Sequence, residues 1–410
     1  MAPYASDDST TAGEGDDLRS GRRKAARYVV PVAVMGVAAA TIGLVPALAD
    51  SGDPDLPKVS AQQLIEKIAQ SDVQQLSGTV KISTDLGLPD LGGLESGLLS
   101  GATRSGEGDG SSADPSAKLT ELASGTHTLR VAADGPERQK LSLLENAAEY
   151  SLIHNGKDVW GYDSKSNEVY HGTASESAEK NGKSDKSEKR EDVPATPKDL
   201  TEEALKSVDD TTSVTVDGTV HVAGRDAYKL LIKPKQSGTT VGAISVAVDA
   251  KTGLPLKFTL TPASGGAAVV DAGFTQVSFS KPAASTFDFA PPKGAKVTED
   301  ENADHADRGQ RSPKSEKDLG KELDGLKTLG EGWNSVATFD TGGESVPSGA
   351  EAGGDLGGFL GSLGDQVSGK FGKGTVFSTR LVNALITDDG KVYVGAVTKD
   401  ALVKAANSGK

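Results

Sequence analysis

The chain has 410 residues, a net charge of −14, 50 glycines, 4% aromatic residues and no cysteine. That length predicts two or three domains, and a lean 36% of apolar residues leaves much of it for loops and linkers. Without cysteine there is no disulfide, thiol nucleophile, thiolate metal site or lipidated N-terminal Cys, and the acidic balance argues against nucleic acid as a partner.

Arg22, Arg23, Lys24 and Arg27 precede an uncharged run, Tyr28 to Leu44, and then Pro46-Ala47-Leu48-Ala49 before Asp50. Small residues at Ala47 and Ala49 are the pattern a signal peptidase cuts, which predicts a mature chain beginning at Asp50. A retained anchor over 28–44, basic side in the cytoplasm, is the competing reading, at the short limit for spanning a bilayer. Either way residues 50–410 are exported. Residues 1–49 hold five basic and five acidic side chains, so the exported part keeps the whole −14.

Leu64, Ile65, Ile68 and Val73 have helical spacing behind Ser60, a good N-cap. Leu76 to Asp85 alternates and predicts a half-buried strand. Residues 86–118, rich in Gly, Ser and Asp, read as a long loop with an insert near 87–118. From Gly125 to His171 the pattern is an antiparallel meander, with Asn155-Gly156 as a two-residue hairpin turn in which both positions need positive φ. Residues 172–198 are a charged low-complexity insert of balanced sign. Leu200, Ala204, Leu205 and Val208 mark a second short helix, and strands resume from Ser213 through Ser280. The sheet closes at Phe287–Val297, where Pro291-Pro292 opposes further pairing.

About eleven strands and two helices predict an α+β fold: a large curved antiparallel sheet with helices on one face, over 59–297. A charged linker, 298–318, leads to a small C-terminal α+β unit, 319–410. There WNSVATFD is a candidate strand, residues 341–374 are Gly-rich, VFSTRLVNALIT and KVYVGAVT form a hairpin, and Ala401 to Ala406 a helical turn or two. Asp90-Leu91-Gly92-Gly93-Leu94 recurs as Asp355-Leu356-Gly357-Gly358-Phe359. Two accounts stay open for that echo, a low-complexity coincidence or two mildly amphipathic flaps near a binding mouth.

Catalytic patterns do not emerge. The five histidines, at 127, 154, 171, 221 and 305, never fall in an i, i+4 pair, there is no H-E-x-x-H and no G-x-S-x-G, and the Ser/Lys-rich stretches lie in charged linkers. The expectation is a binding protein rather than an enzyme, with no cofactor and no metal.

Alternation does supply an aliphatic face. Its predicted members are Leu129, Val131, Leu141, Leu143 and Leu152, then Trp160 and Tyr162. Leu230, Ile232, Val246, Val248, Leu256, Phe258 and Leu260 continue it. Two short helices are expected to leave part of that face uncovered, an apolar concavity suited to an apolar ligand.

Several segments resemble the LolA-like superfamily, particularly its actinobacterial members, and they come in the family's order. They are VSAQQLIEKIAQSDVQQLSGTVKISTDLGLP (59–89), HNGKDVWGYDSKSNEVYH (154–171), VAGRDAYKLLIKPK (222–235), VAVDAKTGLPLKF (246–258) and FDFAPPKGAKV (287–297). The resemblance implies a half-open β-barrel closed by helices over an apolar cavity, carrying a lipid or acylated lipoprotein. The alternative it implies is an RseB-like sensor that contacts a membrane partner such as an anti-sigma factor, an arrangement with which the extra C-terminal unit is compatible. Arg130 and Arg138 lie in the strand region, but no motif ties either to the arginine of classical carriers.

Overall fold

The computed structural model describes residues 53–87, 111–115, 118, 122, 124–173, 196–299, 327–340 and 364–408. The export segment, the echoed Asp-Leu-Gly-Gly stretches, most of the two inserts and most of the charged linker lie outside them. Pro54–Lys410 forms one compact unit.

Local chemistry explains both early helices. In α1 (Ala61–Ala69) the Ser60 hydroxyl accepts from the Gln63 N–H at 3.2 Å while the Gln63 side chain accepts from the Ser60 N–H at 2.9 Å. This reciprocal cap satisfies two donors that the first turn leaves unpaired. α2 (Pro197–Lys206) begins the same way with Thr196 and Asp199, and carries Pro197 where its missing N–H costs nothing. Each helix buries one stripe: Leu64 and Ile68 from α1, Pro197, Thr201 and Ala204 from α2.

The main sheet has twelve strands in two runs that meet at β1 (Gln75–Thr84). On one side lie β2 (Gly125–Asp134), β3 (Arg138–Glu145), β4 (Ala148–Asn155), β5 (Asp158–Asp163) and β6 (Glu168–Thr173), each paired antiparallel with the one before. On the other lie β7 (Thr212–Val222), β8 (Arg225–Pro234), β9 (Val241–Asp249), β10 (Pro255–Pro262) and β11 (Val270–Ser278), with β11 against β1 and β7 at the far edge. The twelfth strand, β12 (Lys296–Glu299), adds parallel to β6. The edges β12 and β7 do not pair, so the sheet is open.

Curvature is visible in the packing. Val222 and Ala227, on β7 and β8, are buried in the same cluster as Val80 and Leu129 on β1 and β2, and β7 approaches β11 across the curl. Register shifts at Thr79/Val80, Pro255/Lys257 and Val216/Thr219 bend the strands, and Gly218 sits in the last of these at φ 82°, where a side chain would be strained. An ion pair to a buried carboxylate braces the β8–β9 side: half-buried Arg225 holds Asp249, whose side chain is 1% exposed, and Asp249 accepts the Thr252 N–H at 2.7 Å to shape the Lys251–Gly253 turn.

A second sheet contains β13 (Lys327–Leu329), β14 (Val336–Asp340), β15 (Asp365–Gly369), β16 (Gly372–Ser378), β17 (Asn383–Thr387) and β18 (Lys391–Gly395), ordered β13-β14-β18-β17-β16-β15. One face is closed by α3 (Lys399–Ser408), whose Leu402 and Ala406 pack on Val376, Leu385 and Tyr393.

Three expectations are corrected. Pro291-Pro292 interrupts the sheet but does not end it, because pairing resumes four residues later at Lys296. The long arm VFSTRLVNALIT is two strands, broken where the Thr379 N–H and hydroxyl both bond the Val382 carbonyl. At the β4–β5 turn Asn155 pairs with Asp158, so Gly156 and Lys157 form the tip and only Gly156 has positive φ, 63°.

Candidate functional site

Cross-strand register sorts the predicted apolar residues into rows. Val80, Leu129, Leu143 and Tyr150 are successive partners across β1 to β4, and none is more than 2% exposed. One step along, on the same face because side chains alternate, come Gly78, Val131, Leu141, Leu152 and Gly161. Here Val131, Leu141 and Leu152 are only half-buried, at the margin of the cluster that Leu129 and Leu143 fill. Leu76 and Val277 extend this margin and are also half-buried.

The other half of the sheet is packed solid. Leu230, Ile232, Val246, Val248 and Phe258 bury with Leu64 and Ile68 of α1 and Ala204 of α2, and Leu256 is fully buried in the first cluster. Leu260 is half-buried against the second cluster. Over β7–β10 the two short helices cover their face, so the predicted residues there are core. Eight of the fourteen predicted residues, counting Leu129 and Leu143, hold the core.

Trp160 and Tyr162 require a different correction, because they lie on the opposite face. Leu152 pairs with Gly161, so the inward residues of β5 are Val159, Gly161 and Asp163. Trp160 stacks on His171 with ring centroids 3.8 Å apart, and Phe289 packs near both Trp160 and Tyr162, at 5.5 and 5.7 Å. In DVWGYDS the two bulky aromatics hid an inward face built from small and acidic residues.

That inward face of β4–β6 is covered by a segment the sequence reading took for plain loop. The Tyr150 hydroxyl donates to the Ala113 carbonyl at 3.1 Å, and a Cβ on Gly161 would stand 2.5 Å from the same oxygen. Ser112 donates its N–H to Glu168 at 2.8 Å, and Lys118 reaches Glu145 at 2.9 Å. Burial pushes the Tyr150 phenol up, with Asp114 and Asp163 adding to it, so the hydroxyl stays a donor. The inward Gly161 and Asp163 were the available signal for this polar cover.

What remains partly uncovered is a strip across β11, β1, β2, β3 and β4: Val277, Gly78, Val131, Leu141 and Leu152. Neighbouring strands stand about 4.8 Å apart, so the strip is about 19 Å long. It is apolar throughout and offers no nucleophile.

The second sheet docks on the first through defined bonds. Trp333 donates from Nε1 to Thr212 at 2.8 Å, Thr239 bridges to Val397, and Arg380 holds the chain end beyond β1 through Asp85 at 2.6 Å.

No family model and no curated protein matches the sequence. Among solved structures, the MucA/MucB complex of Pseudomonas aeruginosa is similar at 17% identity, over 84% of this chain and 96% of the matched one, with a TM-score of 0.38. An uncharacterized conserved protein of Thermus thermophilus is similar at 13%, over 58% and 99%, with 0.31. A LolA superfamily protein of Nitrosomonas europaea is similar at 12%, over 57% and 99%, with 0.22. Strand order and packing give the chain a twelve-stranded, open, curled sheet with two helices on its inner face and a smaller second sheet.

Proposed function

We propose that the chain is an exported binding protein that holds the hydrocarbon chain of a lipid or acylated lipoprotein along the half-buried strip of β1–β4 and β11. The observation that carries this reading is the row Val131, Leu141, Leu152: direct neighbours, all apolar, on the only part of the described inner face where successive predicted residues remain half-buried. Each CH₂ fully removed from water contributes about 0.8 kcal/mol, so a 16-carbon chain supplies at most about 13 kcal/mol before ordering costs. No polar chemistry is needed for affinity. Export is supported by the basic flank, the uncharged run 28–44 and the Ala47/Ala49 pattern.

The test is native mass spectrometry of protein purified from its own host, paired with titration of a fluorescent palmitoyl lipid. Acylated molecules should co-purify, and Leu141→Glu should weaken the titrated affinity at least about tenfold, the scale of a charge set against hydrocarbon. Protein that is empty from its host and stays empty with lipid extract would end the reading.

The sensor reading is favoured by one observation, the bonded docking of the second sheet onto loops of the first. It expects removal of 319–410 to abolish capture of a membrane protein while lipid binding persists.

A further inference from the structure

A cleft of about 600 Å³ lies over β1–β4 and β11, lined chiefly by residues of the face opposite the apolar strip and bordered by Thr286 and by Gly78, Val131 and Val277. Two rows of side chains cross it. One runs Ser278, Ser77, Ala132, Lys140 and the other Gln276, Thr79, Arg130, Ser142, each residue the direct cross-strand partner of the next.

Charge in the cleft is unevenly satisfied. Ser142 and Ser151 are 2% and 5% exposed, their hydroxyls stand 2.9 Å apart, and Ser151 donates to Glu149 at 2.9 Å. Partial burial pushes the Glu149 carboxyl up, but hydrogen bonds from the two serines, with Lys140 and Arg130 nearby, outweigh it and hold it below its ordinary value. Its acceptors are thus spent largely on the buried serines. Arg130 remains 4.0 Å away, at the limit of an ion pair, and Lys140 has no ion pair or side-chain hydrogen bond among the described residues.

Lys140 and Arg130 are diagonal neighbours on adjacent strands, a spacing of about 7–8 Å and somewhat less between Cβ atoms. A tetrahedral oxyanion placed between them receives both cations, and charge-assisted bonds of that kind are stronger than neutral ones. Ser77, Thr79 and Gln276, whose side chains likewise lack hydrogen bonds among the described residues, stand beside that position. They present hydroxyls and an amide at strand spacing, the partners a polyol needs. The volume suits one ring with its substituents.

We propose that this outer cleft is a second binding site, taking a phosphorylated polyhydroxyl group, either a soluble sugar phosphate or a lipid headgroup. Lys140 and Arg130 hold the phosphate, and Ser77, Thr79 and Gln276 bond the hydroxyls. None of these five side chains belongs to the apolar strip, although Gly78, Val131 and Val277 of that strip also border the cleft.

Calorimetric titration of the full chain with glucose 6-phosphate, glucose and inorganic phosphate tests this, beside sedimentation with vesicles of phosphatidylglycerol in phosphatidylcholine. Glucose 6-phosphate should bind at least about tenfold tighter than either half-ligand, and Arg130→Gln/Lys140→Gln should remove that gain, one charge-assisted bond being worth that much. Leu141→Glu, on the opposite face, should leave it unchanged, and an unaltered melting temperature excludes unfolding of the double variant. Vesicle binding that the double variant loses, without glucose 6-phosphate binding, assigns the site to a lipid headgroup. Binding of no probe, binding indifferent to the double variant, or inorganic phosphate binding as tightly as the sugar phosphate would overturn the proposal.

Discussion

Leu129 and Leu141 are both leucines on one face of adjacent strands, yet they differ in what surrounds them. Leu129 is fully buried, so Leu129→Ala should cost about 2–5 kcal/mol in denaturant unfolding, while half-buried Leu141→Ala should cost clearly less. Equal losses would mean that the strip is core and not a surface. Asp249 gives a second contrast. Burial pushes its carboxyl up, but Arg225 and Thr252 more than reverse this and hold it below its ordinary value. Its contribution is therefore present above the unfolded pKa and is lost as pH falls through the depressed folded one. Asp249→Asn, which removes the carboxylate that half-buried Arg225 pairs with, should destabilise by about 1.5–3 kcal/mol at neutral pH and should flatten the acid limb of a stability–pH curve. At this scale the sequence was partly legible. Alternation found the aliphatic residues, but it could not tell a buried leucine from a margin one. In DVWGYDS it followed bulk instead of phase, because a one-residue error in register carries every side chain to the other face.

Among elements, the most exposed to solution conditions is β12, which is held to β6 partly by His171. Burial pulls the imidazole down, but hydrogen bonds to Asp158 and Glu299, at 3.1 and 2.7 Å, outweigh it and raise its pKa above the ordinary 6.5. A raised histidine contributes its stability fully below the unfolded pKa and loses it as pH rises through the folded value. Hydrogen exchange at the β12 amides should thus be slower at pH 5 than pH 8, after correction for intrinsic rates, and His171→Gln should remove the difference. Exchange with the same pH dependence in the variant would contradict the clamp. Thr196→Ala should cost about 1 kcal/mol by removing the α2 cap. Caps and most strands were readable because their signals are local: Ser60, Thr196 with Pro197, and strict alternation in LSGTVKISTD. β12 was not, since two prolines mask a four-residue parallel strand whose partner lies over a hundred residues earlier.

For the whole molecule, two curled runs of strands share β1, and a second sheet is bonded to the loops at their ends. Removing the Arg380 side chain, which grips Asp85 and Ala267, should loosen that junction. Arg380→Ala should speed limited proteolysis at the junction loops, and an unchanged cleavage pattern would show the contact to be incidental. Strand order was beyond sequence reading, because pairings such as β1 with β11 link residues almost two hundred positions apart. The cover supplied by residues 111–113, anchored on Tyr150 and pressed against Gly161, was hidden for the same reason. Photocrosslinking tests most directly the proposal that an acyl chain lies on Val131, Leu141 and Leu152. With a diazirine-bearing palmitoyl probe and peptide mapping, the account predicts adducts concentrated on β2, β3 and β4. Adducts confined to β7–β10 or the helices, or none above a short-chain control, would contradict it.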